Sequence, residues 1–145
     1  MSVERSVDIN APVQRVWEVL SDVERWPEWS ESMDSVRLDA DTLQRGARAV
    51  VKQPRLPQTI WRVIELEPLR SFTWVSSSVG VTTTAGHELT PTPTGCRARL
   101  SIEQRGLLAP LVQLFAGRLI GRYVDMEARG LKQRSERERE DSPSP

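Results

Sequence analysis

Between Asp34 and Gln104 the chain reads as six successive β segments, and only one long amphipathic segment, from about Leu107 to Arg134, follows them. The β segments are Asp34–Asp39, Gly46–Gln53, Thr59–Glu67, Ser71–Ser78, Val81–Thr90 and Cys96–Gln104. Turn chemistry separates them at QPRLPQ, EPLR, SVG and TPTPTG, and connections this short favour antiparallel hairpins. In the last segment Ala98, Leu100 and Ile102 alternate with Arg97, Arg99 and Glu103, so one face of the sheet is wet. The other face must be covered, and the final helix, about 37 Å long from Pro110 to Arg134, is the only element that can do so. The sheet has to curl round that helix.

The first residues add a strand and a helix pair. In VERSVDIN, Val3, Val7 and Ile9 fall on one side and Glu4, Ser6 and Asp8 on the other, with Arg5 out of phase. In APVQRVWEVLS, Val13, Val16, Trp17 and Leu20 recur at helical spacing, with Asn10 as the expected cap and Pro12 pre-set for the first turn. Ser21 to Ser30 reads as a second short helix or turn carrying Trp26 and Trp29. On the long helix Leu111, Leu114, Phe115, Leu119 and Met126 lie close to one stripe. A curled sheet gripping one helix stays open at its ends, and the two short helices are the natural plug.

One domain of residues 1–134 is expected, followed by a charged, disordered tail at 135–145. Acidic and basic residues cancel at 20 each, which argues against nucleic acid as a partner. No apolar run is long enough to span a membrane, and MSVERSVDIN lacks a secretory core. With Cys96 as the only cysteine, no internal disulfide can form, and a cytoplasmic location is the expectation. The sequence leaves oligomeric state open.

The blocks INAPVQRVWEVLSDVERWPEW, KQPRLPQTIWRVIELEPLRSFTW and GHELTPTPTGCRARL resemble the START-like, or SRPBCC, superfamily, in its polyketide cyclase/dehydrase and lipid-transport branch. The likeness runs from about Val7 to Lys132, and Cys96 departs from the threonine usual after that glycine. It implies an α+β helix-grip fold: a seven-stranded curved antiparallel sheet around a long C-terminal helix, with two short helices between strands 1 and 2. Members bind or transform lipids, sterols, polyketides and other hydrophobic molecules. Fold alone does not assign the activity.

The aromatic residues are the first candidates for a pocket wall. Trp26 and Trp29, with Trp17, either close one end of a cavity or are core residues joining the helix pair to the sheet. Trp74 shares a face with Phe72. Trp61 shares one with Val63, but Ile60, Ile64 and Leu66 compete in the other phase, and a bulge would reconcile the two. We expect Trp61 and Val63 inside. Leu100, Phe115 and Leu119 complete the expected lining.

His87 is the only histidine and falls in phase with Leu89. It is either a proton carrier or a neutral side chain that hydrogen-bonds a neighbour or orients a ligand, and Asp125, Glu127 and Tyr123 are the groups within possible reach. Arg118, Arg122 and Tyr123 lie on or beside the helix stripe; the arginines are expected to keep their heads in water, and Tyr123 to help orient a ligand. One histidine and one cysteine cannot supply a usual zinc site, no phosphate loop or nucleophile elbow occurs, and no cofactor or metal is implied.

Three functions follow, in order. The first is binding of a small hydrophobic or aromatic molecule in an internal cavity between sheet and C-terminal helix. The second is a polyketide cyclase or aromatase that uses His87 for proton transfer. The third is a protein-interaction module with a filled core.

Overall fold

The alternation written into each strand decides which face of the sheet looks inward. The structure is a computed structural model that describes the backbone of residues 2–141 and the side chains of residues 2–137. In β1 (Ser2–Ile9), Val3, Val7 and Ile9 turn inward while Glu4, Ser6 and Asp8 stay exposed. β5 (Ser71–Ser78) buries Phe72, Trp74 and Ser76, β6 (Val81–Thr92) buries Ala85, His87 and Leu89, and β7 (Gly95–Arg105) buries Cys96, Ala98 and Leu100. β2 (Ser35–Leu38), β3 (Arg48–Lys52) and β4 (Thr59–Glu67) complete one antiparallel seven-stranded sheet in the order β1-β7-β6-β5-β4-β3-β2.

That order follows from the chain path. After β1 the chain leaves the sheet through α1 (Val13–Ser21) and a short 3-10 helix (Val23–Glu28), reaches the opposite edge as β2, and returns by hairpins until β7 lies beside β1. α2 (Ala109–Asp141) then crosses the concave face and packs on β1, β7 and α1. This is the α+β helix-grip arrangement, with the two short helices between the first two strands.

The disputed strand resolves through a bulge. Trp61 and Val63 are buried and Ile60 is exposed, but pairing with β5 shifts between Val63 and Glu65. Beyond the shift Leu66 sits opposite Phe72. One extra residue therefore lets Leu66 turn to the covered side beyond the bulge, while Ile60 stays exposed.

Three details differ from the sequence reading. Pro12, rather than Asn10, precedes the first turn of α1, and its carbonyl accepts from Val16 N–H at 3.2 Å. The Asn10 backbone N–H instead donates to the Glu136 carboxylate at 2.8 Å, tying β1 to α2. α2 also continues past Arg134 to Asp141, and Ser135 is buried; of the tail expected at 135–145, residues 142–145 lie outside the described residues.

The third difference concerns the stripe of α2. Its C-terminal part buries Tyr123, Val124, Ala128 and Leu131, but Leu114 and Phe115 are 75% and 83% exposed. At 33 residues, and so about 50 Å, α2 is longer than the ground the sheet gives it. Its N-terminal half overhangs a hollow instead of packing.

Gly130 sets where α2 docks. A Cβ there would run into the Trp29 carbonyl and lie 2.8 Å from the Trp29 ring, so only glycine lets the helix approach the 3-10 segment this closely. Ion pairs flank the contact, with Arg134 on Glu28 at 2.9 Å and Arg5 on Asp125 at 2.7 Å. On the outer sheet face Arg97 meets Asp8, and Arg99 lies between Glu4 and Glu88. Exposed to solvent, these pairs add little to stability.

Candidate functional site

The inward phase of the strands brings an aromatic belt against the 3-10 helix. Trp26 is fully buried, its indole N–H donates to the Leu20 carbonyl at 3.0 Å, and its ring meets Trp74 at 5.3 Å and His87 at 5.5 Å between centroids. Trp61 lies 5.7 Å from Trp74 and spends its indole N–H on Thr59 Oγ1. Rings at these separations and tilts pack favourably edge against face. They form the floor of the site, with the indole N–H groups of Trp26 and Trp61 committed within the protein.

Above that floor a cavity of ≈ 470 Å³ lies between the sheet and α2. Trp26, Trp61, Trp74, Val51, Ala85 and Ile102 line it from one side, and Leu108, Val112, Phe115, Ile120, Val124 and Glu127 from α2. Leu111 and Phe115 both line it and are exposed, so it opens beside the N-terminal half of the helix. There Leu108 N–H donates to the Gly80 carbonyl, which fastens the start of α2 to the β5–β6 turn. Ser76, Ser78, Thr83 and Gln104 lie at the same end.

The opposite end is closed. Glu127 stands one turn before Gly130, which abuts Trp29; Trp29 packs on Trp26 at 5.7 Å, and Trp26 on His87. Glu127 and His87 both line the cavity.

His87 pairs across the strands with Phe72, and its ring stacks on the Phe72 ring at 4.0 Å. Nδ1 lies 3.1 Å from the Phe72 carbonyl, which can only accept, so Nδ1 carries the proton and Nε2 is left as an acceptor. Burial pushes the imidazole down to about 4, against a smaller upward pull from that hydrogen bond. At neutral pH it is uncharged. Glu127 is the opposite case: burial pushes its carboxyl up to about 8, and among the described residues no hydrogen bond or ion pair reaches it. By accessible surface Glu127 is half-buried, and it lines the cavity.

The structure brings together six of the expected site residues: Trp26, Trp61, Trp74, His87, Phe115 and Tyr123 all line the cavity. Tyr123 is not free to orient a ligand, however, because its hydroxyl donates to the Pro54 carbonyl in the loop whose Gln53, Leu56 and Pro57 form part of the wall. Lys52 holds the same loop through the carbonyls of Gln53 and Leu56.

The other expected residues lie elsewhere. Trp17 is half-buried, with its edge on Phe72 at 6.5 Å, and faces a separate groove beside Leu43, Leu66 and Pro68. Trp29 clamps α2, Val63 and Phe72 lie in the core beneath the floor, and Leu100 packs on Val124 and Ala128. Leu119 is half-buried outside the lining, where Ile120 takes the place expected of it. Arg118 and Arg122 are exposed. Asp125 is paired with Arg5 and is no partner for His87.

Sequence reasoning had Glu127 only as a possible neighbour of His87. Gln104, Ser76 and Thr83 escaped it, although they continue the inward phases of Leu100, Phe72 and His87. Cys96 is buried, and burial pushes its thiol up, away from nucleophilic character. Among the described residues no cluster of His, Cys, Asp and Glu suits a metal ion, and no helix is long and apolar enough to cross a membrane.

Residues 1–136 match the model of the family described as polyketide cyclase / dehydrase and lipid transport. No curated protein matches the sequence. Among solved structures, TTHA0849 from Thermus thermophilus is 18% identical with a TM-score of 0.74, over 93% of this chain and 97% of that one. DynU16, a putative protein in the dynemicin biosynthetic locus, is 26% identical with a TM-score of 0.64, over 90% of this chain and 46% of its own. The di-domain ARO/CYC StfQ from the steffimycin biosynthetic pathway is 14% identical with a TM-score of 0.73, over 96% of this chain and 51% of its own. This chain therefore corresponds to about half of each of the latter two.

Proposed function

Because the chain belongs to the polyketide cyclase/dehydrase and lipid transport family, we propose that it binds a small, mainly apolar molecule in the cavity between its sheet and α2. The observation that carries this reading is the hollow itself: ≈ 470 Å³, floored by Trp26, Trp61 and Trp74 and open beside exposed Leu111 and Phe115. That volume falls within the usual range for small-molecule sites. A ligand burying about 300 Å² of apolar surface would gain about 7 kcal/mol before ordering costs are subtracted. A hollow interior also weighs against an interaction module with a filled core.

The test is native mass spectrometry of gently purified protein, followed by tryptophan-fluorescence titration with fatty acids, sterols, quinones and polyketide-like aromatics. A bound species, or a saturable response from the three floor indoles, is expected. Silence across the whole panel would refute the reading.

A second reading, a cyclase or aromatase, draws on the two groups of the cavity wall that can carry a proton, His87 and Glu127. The likeness to StfQ, an ARO/CYC protein, points the same way. A shaped cavity that preorganises a flexible chain contributes to rate before any proton moves. In that case His87→Gln would abolish turnover of a poly-β-ketone substrate while ligand binding persists; full activity in the variant would end it.

A further inference from the structure

Resting on the ligand-binding reading, we infer that Glu127 is the cavity's specificity donor: its carboxylic acid gives a hydrogen bond to a carbonyl oxygen of an otherwise apolar, uncharged ligand. The inference starts from what the closed end leaves unspent. Trp26 and Trp61 donate to Leu20 and Thr59, Tyr123 to Pro54, and His87 Nδ1 to Phe72. Among the described residues the remaining polar capacity there is the Glu127 carboxyl, the bare acceptor at His87 Nε2 and the indole N–H of Trp74, a weaker donor than a carboxylic acid.

Among the described residues no lysine or arginine lines the cavity. The other titratable groups that line the cavity with Glu127 are His87 on β6, neutral and already bonded, and Tyr123 on its own helix, also bonded. Basic side chains on the elements around the cavity are occupied elsewhere: Arg5 with Asp125 across β1 and α2, Arg105 with Glu103 on β7, and Lys132 with Glu136. A carboxylate at position 127 would thus be buried without a counter-ion, which is costly, whereas the acid form needs only an acceptor. A ligand carboxylate would meet the same lack of cations. An ammonium ligand would require desolvating both itself and an ionised Glu127, while a ketone or similar carbonyl accepts the proton that the site already holds. A ligand hydroxyl near that carbonyl would find its acceptor at His87 Nε2.

The experiment compares 2-acetylnaphthalene with 2-ethylnaphthalene, which share a skeleton and differ in the carbonyl, with 2-naphthylmethylamine as a cation; floor-tryptophan quenching is the readout. The quantity is the ratio of the ketone's Kd to the hydrocarbon's. Removing a buried neutral hydrogen bond is worth about tenfold, so Glu127→Leu should raise the ratio about tenfold over the wild type. Glu127→Gln, which keeps a donor, should leave it near the wild-type value. In the wild type the ratio should also climb as pH rises from about 6 to about 9, because the acid ionises, and in Glu127→Gln it should stay flat. The wild-type and Glu127→Gln pH series decide the matter even if the leucine variant does not fold.

A ratio unchanged by substitution and by pH, with the hydrocarbon still bound, would overturn the inference and leave the cavity reading intact. An amine that outbinds the ketone and tightens with pH would overturn it in favour of an ion pair. If none of the three probes binds the wild type, the inference is overturned, and the cavity reading stands or falls separately on the wider ligand panel.

Discussion

Replacing Glu127 by glutamine should stabilise the protein, and the gain should grow with pH in a way that only a buried, unpaired carboxyl produces. The native carboxyl is pushed up from its ordinary 4.5 to about 8 by burial. Between those values the folded protein holds a proton that the unfolded chain has released. Wild-type stability is therefore fully present below pH 4.5 and is lost as pH rises toward 8. A proton held by only one of the two states changes stability by about 1.4 kcal/mol for each step of one in pH, and integrating from about pH 5 to about pH 8 gives a loss of about 3 kcal/mol. Glutamine keeps the shape and a donor but has nothing to ionise. His87 titrates alike in both proteins and cancels from the difference. The assay is urea unfolding of wild type and Glu127→Gln at several pH values across this span, monitored by tryptophan fluorescence. Two stability curves that run parallel would refute the argument, because they would mean that the carboxyl is solvated or paired.

Three further outcomes are expected. His87 is pushed down to about 4 by burial, so the unfolded chain takes up a proton first as pH falls; stability should drop by roughly 3 kcal/mol between about pH 6.5 and 4, and thermal melts of His87→Gln should lack that acid slope. Two glycines of α2 should part company: Gly130→Ala should destabilise by more than about 1 kcal/mol because the new Cβ meets the Trp29 carbonyl, whereas Gly117→Ala should stabilise by up to about 1 kcal/mol in denaturant titrations. In Gly117→Ala the nearest atom to the new carbon is Gln113 Oε1 at 3.6 Å. Tyr123→Phe should cost about 1 kcal/mol by removing the donor to the Pro54 carbonyl, and hydrogen exchange in residues 53–58 should quicken if that bond holds the loop against α2.

Much of this molecule could be read along the chain because a strand's inner face is a local property. Phe72 and Trp74, or Ala98 and Leu100, declare their side by simple alternation, and the bounds of β4 and β5 fall where the sequence put them. His87 is buried for the same reason. The stripe of α2 was harder to read. Leu111, Leu114 and Phe115 carry the periodicity of a packed face, yet nothing in the periodicity says whether a sheet lies beneath them. Glu127 sits in the run DMEARG, which looks like any solvated helix face. Trp17 has the spacing of a core residue and lies in the core's margin, one helix away from the cavity.

The sequence by itself determined the order of elements, the inward phase of each strand and the need for one long helix to cover the sheet, because each of these follows from periodicity within a few residues. Only the tertiary structure decided which half of α2 is gripped, since that depends on Gly130 meeting Trp29 across the fold. The hollow under the other half, and the acid held neutral at its inner end, exist because chain segments far apart in sequence close round Glu127 and bring no cation with them.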